Sequence, residues 1–578
     1  MSAPDTASLI RVLIVNSPSR SKLLVAAALL LALAVGAVSI LLTAYHNYEA
    51  SPSPYSVPLP EVAPTAPISQ RVVVVVSDGL RSDLAVEMKN IGSLSRRPDA
   101  SYHTAVTAVP SLSLPGWTAI MTGAGPLVSG VRTNAFEGSP APVESLFETA
   151  RRAGKRTAIA GAATEWDQLF RGQSDEVYVA PFPSGRGSDG EKDSDPLVAR
   201  ALAGPAELML LYFPAVDDAS HYYGPFSDDG VNAMLGFDRR VGEIASRLDF
   251  TRDTLIVTSD HGHIDAGGHG GYEDLARGAT LLMVGRGISK SGPQAVSQTD
   301  IAPTIAVLLG VGRPRDAEGM PLFGSISADS AAEAEAAQIH EAALRRRIAA
   351  NYEVISREQA PDASVEVLRE EIRAASWRRA ISESMGRIPI GVLLVALFAM
   401  IIRLTGGLKA RSVGAALVCM GLAALAVWSS GFTWSMSYFN VSGDESGLLL
   451  AALGATVLGM AMAGLIVGNR TTSGAWQQAM SVSAVIVFIC GLSASLLMIY
   501  YGPNTGWRMP DLRFSWAMFI VPTLVGVASV VGIPLAAATA ALAHKVSAKS
   551  SEVQPPDKVP GPDSEPDPDV DEGPDSDS

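Results

Sequence analysis

Cysteine is nearly absent from this chain. Two occur in 578 residues, Cys419 and Cys490, and both lie inside apolar runs of membrane length. The hydrophilic middle has none, which excludes a disulfide framework and a thiolate nucleophile there. Histidine is scarce too, with eight in the chain, yet three of them fall within "SDHGHIDAGGHGG", Ser259 to Gly271. No basic stripe is present, which argues against a nucleic-acid surface. The net charge is −14, and much of it sits at the C-terminus: Glu552 to Ser578 carries ten acids and one lysine, Lys558, among prolines. Such a segment has no apolar core to bury and is expected to be disordered. Its acidity says nothing about a substrate. No internal repeat is visible.

Long apolar runs are abundant, but only at the two ends. Leu23 to Ala44 has no charged residue and is long enough to cross ~30 Å of hydrocarbon. It exceeds the apolar core of a cleaved signal peptide, so a retained anchor is expected. Five further runs lie at about 388–402, 412–431, 447–468, 477–500 and 515–542. Arg11, Arg20, Lys22, Arg403, Lys409, Arg411, Arg470, Lys545 and Lys549 then fall on one side, and the loop holding Asp444 and Glu445 has no basic residue. Arg508 and Arg513, at 501–514, are the exception. The bias predicts a multi-pass cell membrane protein with both termini cytoplasmic and the middle domain extracytoplasmic. The expected order is a cytoplasmic 1–22, a transmembrane helix 23–45, a stiff proline-rich linker 46–70, a soluble domain 71–330, juxtamembrane helices 331–386, five further transmembrane helices 387–543, and the acidic tail 544–578.

In the soluble domain, "RVVVVVSDGLRSD" from Arg71 is a strand with five consecutive valines, the mark of burial on both faces of a parallel sheet. "ELMLLYFPAVDD" from Glu207 and "DTLIVTSDHGH" from Asp253 repeat the pattern of an apolar strand followed by acids. "ATLLMVGRG" from Ala279 is another strand, and helical stretches lie between. The fold class is therefore α/β, a mostly parallel sheet with helices on both faces, plus an α-helical transmembrane bundle. Ligands of such sheets bind beyond the carboxyl ends of the strands. Asp78, Asp217 and Asp260 are placed there on three different strands, with His221, His261 and His269 nearby. One such aspartate is ordinarily a cap or turn residue. Three carboxylates with three imidazoles and no thiolate suit zinc or manganese, and divide into two sites of three ligands.

The stretches "VVVVVSDGLRSD", "VPSLSLPGWTAIMTG" (109–123), "DDASHYYGP" (217–225) and "SDHGH" together resemble the alkaline phosphatase superfamily, in its type I phosphodiesterase/nucleotide pyrophosphatase branch. The resemblance spans about 70–325. It implies an alkaline-phosphatase-like sheet and two divalent metal ions. Asp78, Asp260 and His261 would hold one ion, and Asp217, His221 and His269 the other. Ser113 matches the nucleophile position and would also touch metal. Asn134 matches an asparagine that donates to a phosphoryl oxygen. His263 matches no role and is expected behind the ligands or facing solvent. The glycines of the loop are expected to let the backbone fold tightly around the ions. "QTDIAPTIAVLLG" (298–310) resembles the fold's late helix entry, with Asp300 as its cap.

The resemblance implies cleavage of a phosphodiester through a phosphoserine-type intermediate on Ser113. A simple ectoenzyme needs one anchor, so the five further spans point to a lipid-linked substrate or a membrane partner. In outline the architecture resembles lipid- or glycan-directed phosphoethanolamine- or phosphoglycerol-type transferases. Sulfatases share the fold, but their formylglycine motif needs arginine where Trp117 stands. A catalytically dead scaffold or sensor is the reading from another class, and the presence of all six ligands and Ser113 opposes it.

Overall fold

The computed structural model describes residues 19–55, 58–182, 190–327, 330–355, 364–429, 435–439, 445–468, 471–501 and 521–551. Its soluble part is built on one eight-stranded sheet. The strands are β1 (Arg71–Ser77), β2 (Ala100–Val106), β3 (Thr157–Gly161), β4 (Glu176–Val179), β5 (Leu208–Phe213), β6 (Asp253–Ser259), β7 (Gly278–Gly285) and β8 (Ala295–Ser297). Their order across the sheet is β4-β3-β5-β1-β6-β7-β2-β8. Only β7 runs against the others, pairing antiparallel with both β6 and β2. The sheet is thus mostly parallel, as its valine-rich strands imply.

The five valines of β1 show why the sheet is covered on both sides. Val72, Val74 and Val76 enter a core with Trp117, Ile120, Trp166 and Tyr212. Val73 and Val75 enter another with Met209, Phe213 and Phe237. All five are fully buried. β1 lies between β5 and β6, with Ser77 level with both Phe213 and Ser259. That register brings the exits of three strands to one place.

The stretch before β1 is not a spacer held off the domain. The helix Arg20–Ala50 runs past the expected end of the first span. Buried Arg132 donates to the carbonyls of Tyr48 and Ser51. Tyr55 is buried, with its hydroxyl on Asn351. Leu59, Thr65, Ile68 and Ser69 all donate backbone N–H groups to the domain. Proline stiffens this strand-like strap, and the backbone bonds fix it to the surface.

Among the described residues, three helices are long and apolar enough to cross a membrane: the apolar part of Arg20–Ala50, Val365–Leu404 and the region Ser473–Leu492. A pair bent by 54°, Thr523–Val531 with Ile533–Val546, adds a fourth as one broken span. The apolar helices Ala410–Ala426 and Ala452–Val467 are shorter than that measure. Val365–Leu404 joins the expected juxtamembrane segment and the second expected span in one continuous helix, with Pro389 inside it. The helices share a core that includes Leu30, Phe398, Cys419, Met460, Ile486 and Ala536. Close approach depends on small residues: a Cβ on Gly459 would lie 2.8 Å from Cys419 Sγ, and one on Gly464 2.2 Å from the Ala536 carbonyl oxygen. The loop 501–514, apart from Tyr501, and the acidic tail 552–578 lie outside the described residues, as do residues 1–18.

Candidate metal centre

Each acid reaches the centre from a strand exit. Asp78 directly follows β1, and Asp260 directly follows β6. Asp217 sits in the first turn of the helix Ala215–Tyr223 that follows β5. His221 is one helical turn further on and so shares its face. The loop after Asp260 supplies His261, His263 and His269. Ser113 opens the helix Ser113–Thr122. All of these except His221 are buried.

Two groups emerge. Asp78, Asp260 and His261 bring their ligand atoms within 4.8 Å of one another, and so do Asp217, His261, His263 and His269. His261 belongs to both. Its Nε2 is 3.1 Å from Asp78 Oδ1, 3.6 Å from Asp260 Oδ2 and 3.9 Å from Asp217 Oδ1. Ser113 Oγ is 3.4 Å from the same nitrogen. His221 Nε2 is 3.5 Å from Asp217 Oδ1 and 2.8 Å from His269 Nε2. The structure therefore brings together every ligand candidate read from the sequence, together with Ser113.

Of the two places expected for His263, the structure keeps the one inside the domain. The ring does not face solvent. It is fully buried, with Nε2 2.9 Å from Asp217 Oδ1. Its ring fits because residue 79 is glycine: a Cβ there would lie 2.1 Å from His263 Cε1.

The imidazoles are oriented by one device used three times. The Nδ1 atoms of His261, His263 and His269 lie 3.1, 2.8 and 2.8 Å from the carbonyl oxygens of Gly262, Gly79 and Ser111. With Nδ1–H donated to those carbonyls, each Nε2 points inward, the nitrogen that a deprotonated ring would offer to a metal. Asp78 Oδ1 and Asp217 Oδ1 are buried and face imidazole nitrogens, of His261 at 3.1 Å and of His263 at 2.9 Å, without a well-aligned hydrogen bond. Buried charges of that kind are costly unless paired or metal-bound. The donor set and these carboxylate oxygens fit cations.

The electrostatics agree. Burial raises the Asp260 carboxyl well above its ordinary value, and Asp78 beside it adds to the rise. Burial would depress His261, but Asp260, Asp78 and Asp217 outweigh it and lift it to about 10. Burial alone would raise Asp217, yet His221, His263 and His269 hold it well below the carboxylate range. Burial lowers both His263 and His269, the latter strongly with His261 alongside. Without a cation the excess negative charge of the carboxylates is met by a proton on His261.

A layer behind the ligands was missed in the sequence. Tyr212 in β5 donates its hydroxyl to Asp78 Oδ2 at 2.5 Å. Trp117 Nε1 donates to Asp260 Oδ2 at 2.8 Å. Trp117 stacks on Trp166 at 4.6 Å and meets Tyr212 edge-on at 4.8 Å. Trp117 lies one turn after Ser113 on the same helix, and that i, i+4 spacing was the available signal. Gln298 Nε2 donates to the carbonyls of Ser259 and Asp260. Asn134 Oδ1 accepts from the Leu114 N–H, directly after Ser113. Asp300 does not cap the helix Ile301–Leu309 with its side chain; it closes a capping box with Ser297 and also accepts from the Met320 N–H.

Comparison with known proteins agrees with this architecture. Residues 72–284 match the family model described as type I phosphodiesterase/nucleotide pyrophosphatase. The match covers less than half of the chain and falls on the sheet domain that carries the candidate centre. Among curated proteins, GPI ethanolamine phosphate transferase 1 of Neurospora crassa is 24% identical over 401 residues, covering 56% of this chain and 40% of the relative. The human GPI ethanolamine phosphate transferase 3 catalytic subunit is 25% identical over 336 residues, covering 52% and 30%. The chain thus spans less than half the length of these relatives. Among solved structures, murine ectonucleotide pyrophosphatase/phosphodiesterase 5 is similar at 16% identity and a TM-score of 0.35, covering 42% of this chain and 96% of that one.

Proposed function

We propose that the chain is a membrane-embedded, two-metal phosphodiester-cleaving enzyme that works as a phosphotransferase through Ser113. The observation that carries this reading is the convergence of buried Asp78, Asp260, Asp217, His263 and His269 ligand atoms on His261, within reach of Ser113 Oγ. Asp78, Asp260 and His261 would hold one divalent cation. Asp217, His221 and His269, joined by His263, would hold the other. Zinc fits the oxygen and nitrogen donors, and manganese is the second choice. Bound there, such cations supply Lewis acidity that activates a hydroxyl and offsets charge on phosphoryl oxygens.

The protein's own groups do the rest. Ser113 Oγ forms a bond to phosphorus as the bond to the leaving alcohol breaks, and the Ser113 proton ends on that alcohol. The Leu114 N–H fixes the Asn134 carbonyl, which turns the Asn134 NH2 outward as a donor to a phosphoryl oxygen. An acceptor hydroxyl then attacks the phosphorus and its proton restores Ser113. Water as acceptor gives hydrolysis. A lipid or glycan hydroxyl gives transfer, and the names of the curated relatives favour a phosphoethanolamine-type group passed to a lipid-linked glycan. The distribution of lysine and arginine supports an extracytoplasmic domain with both termini cytoplasmic.

The test uses the full chain in detergent micelles with zinc or manganese. Bis-p-nitrophenyl phosphate is expected to be cleaved in preference to p-nitrophenyl phosphate, with loss in Ser113→Ala, in His269→Ala and with chelator. Mass spectrometry of the Ser113 peptide after exposure to a phosphoethanolamine diester should reveal the adduct. A chain that binds no metal and turns over neither ester ends this reading.

A further inference from the structure

The loop that carries the three histidines is held at its far end by a piece of the membrane region. The short helix Met436–Phe439, with Ser435 before it, lies between the apolar helices Ala410–Ser429 and Glu445–Val467. Ser437 Oγ accepts from the Gly271 N–H at 2.9 Å and donates to Glu273 Oε2 at 2.6 Å. Ser437 N–H donates to Ser435 Oγ. Both serines are buried. This segment is therefore on the same side of the membrane region as the soluble domain.

The glycines of "GGHGG" fit this contact. A Cβ on Gly271 would lie 2.4 Å from Ser435 Oγ and 2.5 Å from Ser437 Oγ. A Cβ on Gly270, whose φ is +97°, would lie 3.2 Å from Met436 Cγ. Glu273 Oε2, at 2.2 Å from the Gly271 Cβ position, and Leu112, at 3.2 Å from that of Gly270, share this space, so the pair admits the membrane segment and the loop's own turn together. From there the bonds run inward. Ser111 Oγ donates to the Gly271 carbonyl and accepts from the Gly270 N–H, both at 3.0 Å. The Ser111 carbonyl is the partner of His269 Nδ1. A continuous path links Ser437 to the ligand loop and to the turn that presents Ser113.

We propose that the Ser435–Phe439 segment is a built-in wall of the metal centre, and that Ser437 is a positioning residue for His269. The group Asp217, His261, His263 and His269 then reaches its cation-binding geometry only when the membrane helices are seated against the domain. This rests on the reading of that group as a cation site. It gives the C-terminal apolar helices a role beyond anchoring: they complete the site.

The experiment compares wild type, Ser437→Ala, Ser437→Thr and Gly271→Ala as full chains in detergent. Zinc per chain is measured by elemental analysis after dialysis against graded chelator. Hydrogen exchange of the peptide over residues 264–275 is read on the same samples. Ser437→Ala and Gly271→Ala are expected to release one of two ions at a chelator strength about tenfold lower than wild type, within the range that loss of an outer partner produces. The other ion should stay, exchange over Gly270 and Gly271 should quicken, and Ser437→Thr should restore both properties. Wild-type ion retention in both disruptive variants overturns the positioning role, even if exchange quickens. Unchanged exchange overturns the latch itself. If wild type binds no zinc, the cation reading fails and the positioning role falls with it, while exchange in Ser437→Ala still decides whether the contact holds the loop.

Discussion

Tyr212→Phe isolates a single hydroxyl in the support of the centre. Tyr212 is fully buried in β5, and burial beside Asp78 and Asp260 pushes its phenol well above the ordinary value. It therefore stays a donor across the working pH range. Phenylalanine keeps the ring, and with it the edge contacts to Trp117 at 4.8 Å and Trp166 at 5.7 Å. What disappears is the bond to Asp78 Oδ2. That oxygen then loses its hydroxyl donor, while Oδ1 keeps its 3.1 Å contact with His261 Nε2. A hydrogen bond to a charged group contributes about 1.5–3 kcal/mol, and each 1.4 kcal/mol is about a factor of ten in affinity. The cation held by Asp78, Asp260 and His261 should bind about 10–100-fold more weakly, in line with the loss of other outer partners of metal ligands. The cation at Asp217 should be little affected. The assay is competition with a chromogenic chelator on the full chain, with near-ultraviolet circular dichroism to confirm the fold. Trp117→Phe removes the donor to the other carboxylate, so it should weaken the same ion. A folded Tyr212→Phe chain that holds both ions at wild-type chelator strength would refute the reasoning.

Gly79→Ala places a Cβ 2.1 Å from His263 Cε1 in a backbone with φ of +68°. Left-handed strain and overpacking together should cost about 2–5 kcal/mol. A fall in the thermal midpoint, partly recovered by adding His263→Ala, checks that the clash is the cause. Cation loading should also strengthen with rising pH. Burial would depress His261 in the cation-free centre, but Asp260, Asp78 and Asp217 raise it to about 10, so it carries a proton that a cation must displace. The Asp260 carboxyl, raised by burial and by Asp78, is a second source of a displaced proton, whereas His263 and His269 lie below their ordinary value and release none near neutrality. Affinity should rise by up to about tenfold per pH unit for each proton released. Calorimetry between about pH 6 and 8, in buffers of different ionisation heat, counts those protons; a pH-independent affinity contradicts the assignment.

The ligands were legible because parallel strands converge. Once β1, β5 and β6 are recognised as buried runs ending in acids, adjacency of Asp78, Asp217 and Asp260 follows from the sheet, and His221 follows from helical spacing. His263 was not legible in the same way. Its place depends on the space left by Gly79, which lies 184 residues earlier in the chain, and nothing in "SDHGH" distinguishes a ring that turns inward from one that faces water. Tyr212 and Trp117 were visible as an apolar strand residue and a helix residue, but their polar atoms gain meaning only when the carboxylates arrive opposite them. The glycines of "GGHGG" carried the same ambiguity. Glycine in a loop with histidines reads as freedom to wrap an ion, whereas here two of the five admit serine and methionine from a segment 166 residues away. Periodicity separates the membrane helices from the soluble domain because their periods and burial differ. It says nothing of contact between them, since a short helix such as Met436–Phe439 has no period long enough to announce a face. The same limit applies to the linker: proline sets its extension, but the bonds from Leu59 to Ser69 that tie it down come from the other end of the domain. What the chain encodes locally is therefore the set of candidate ligands, and what it encodes only through tertiary contact is the support around them.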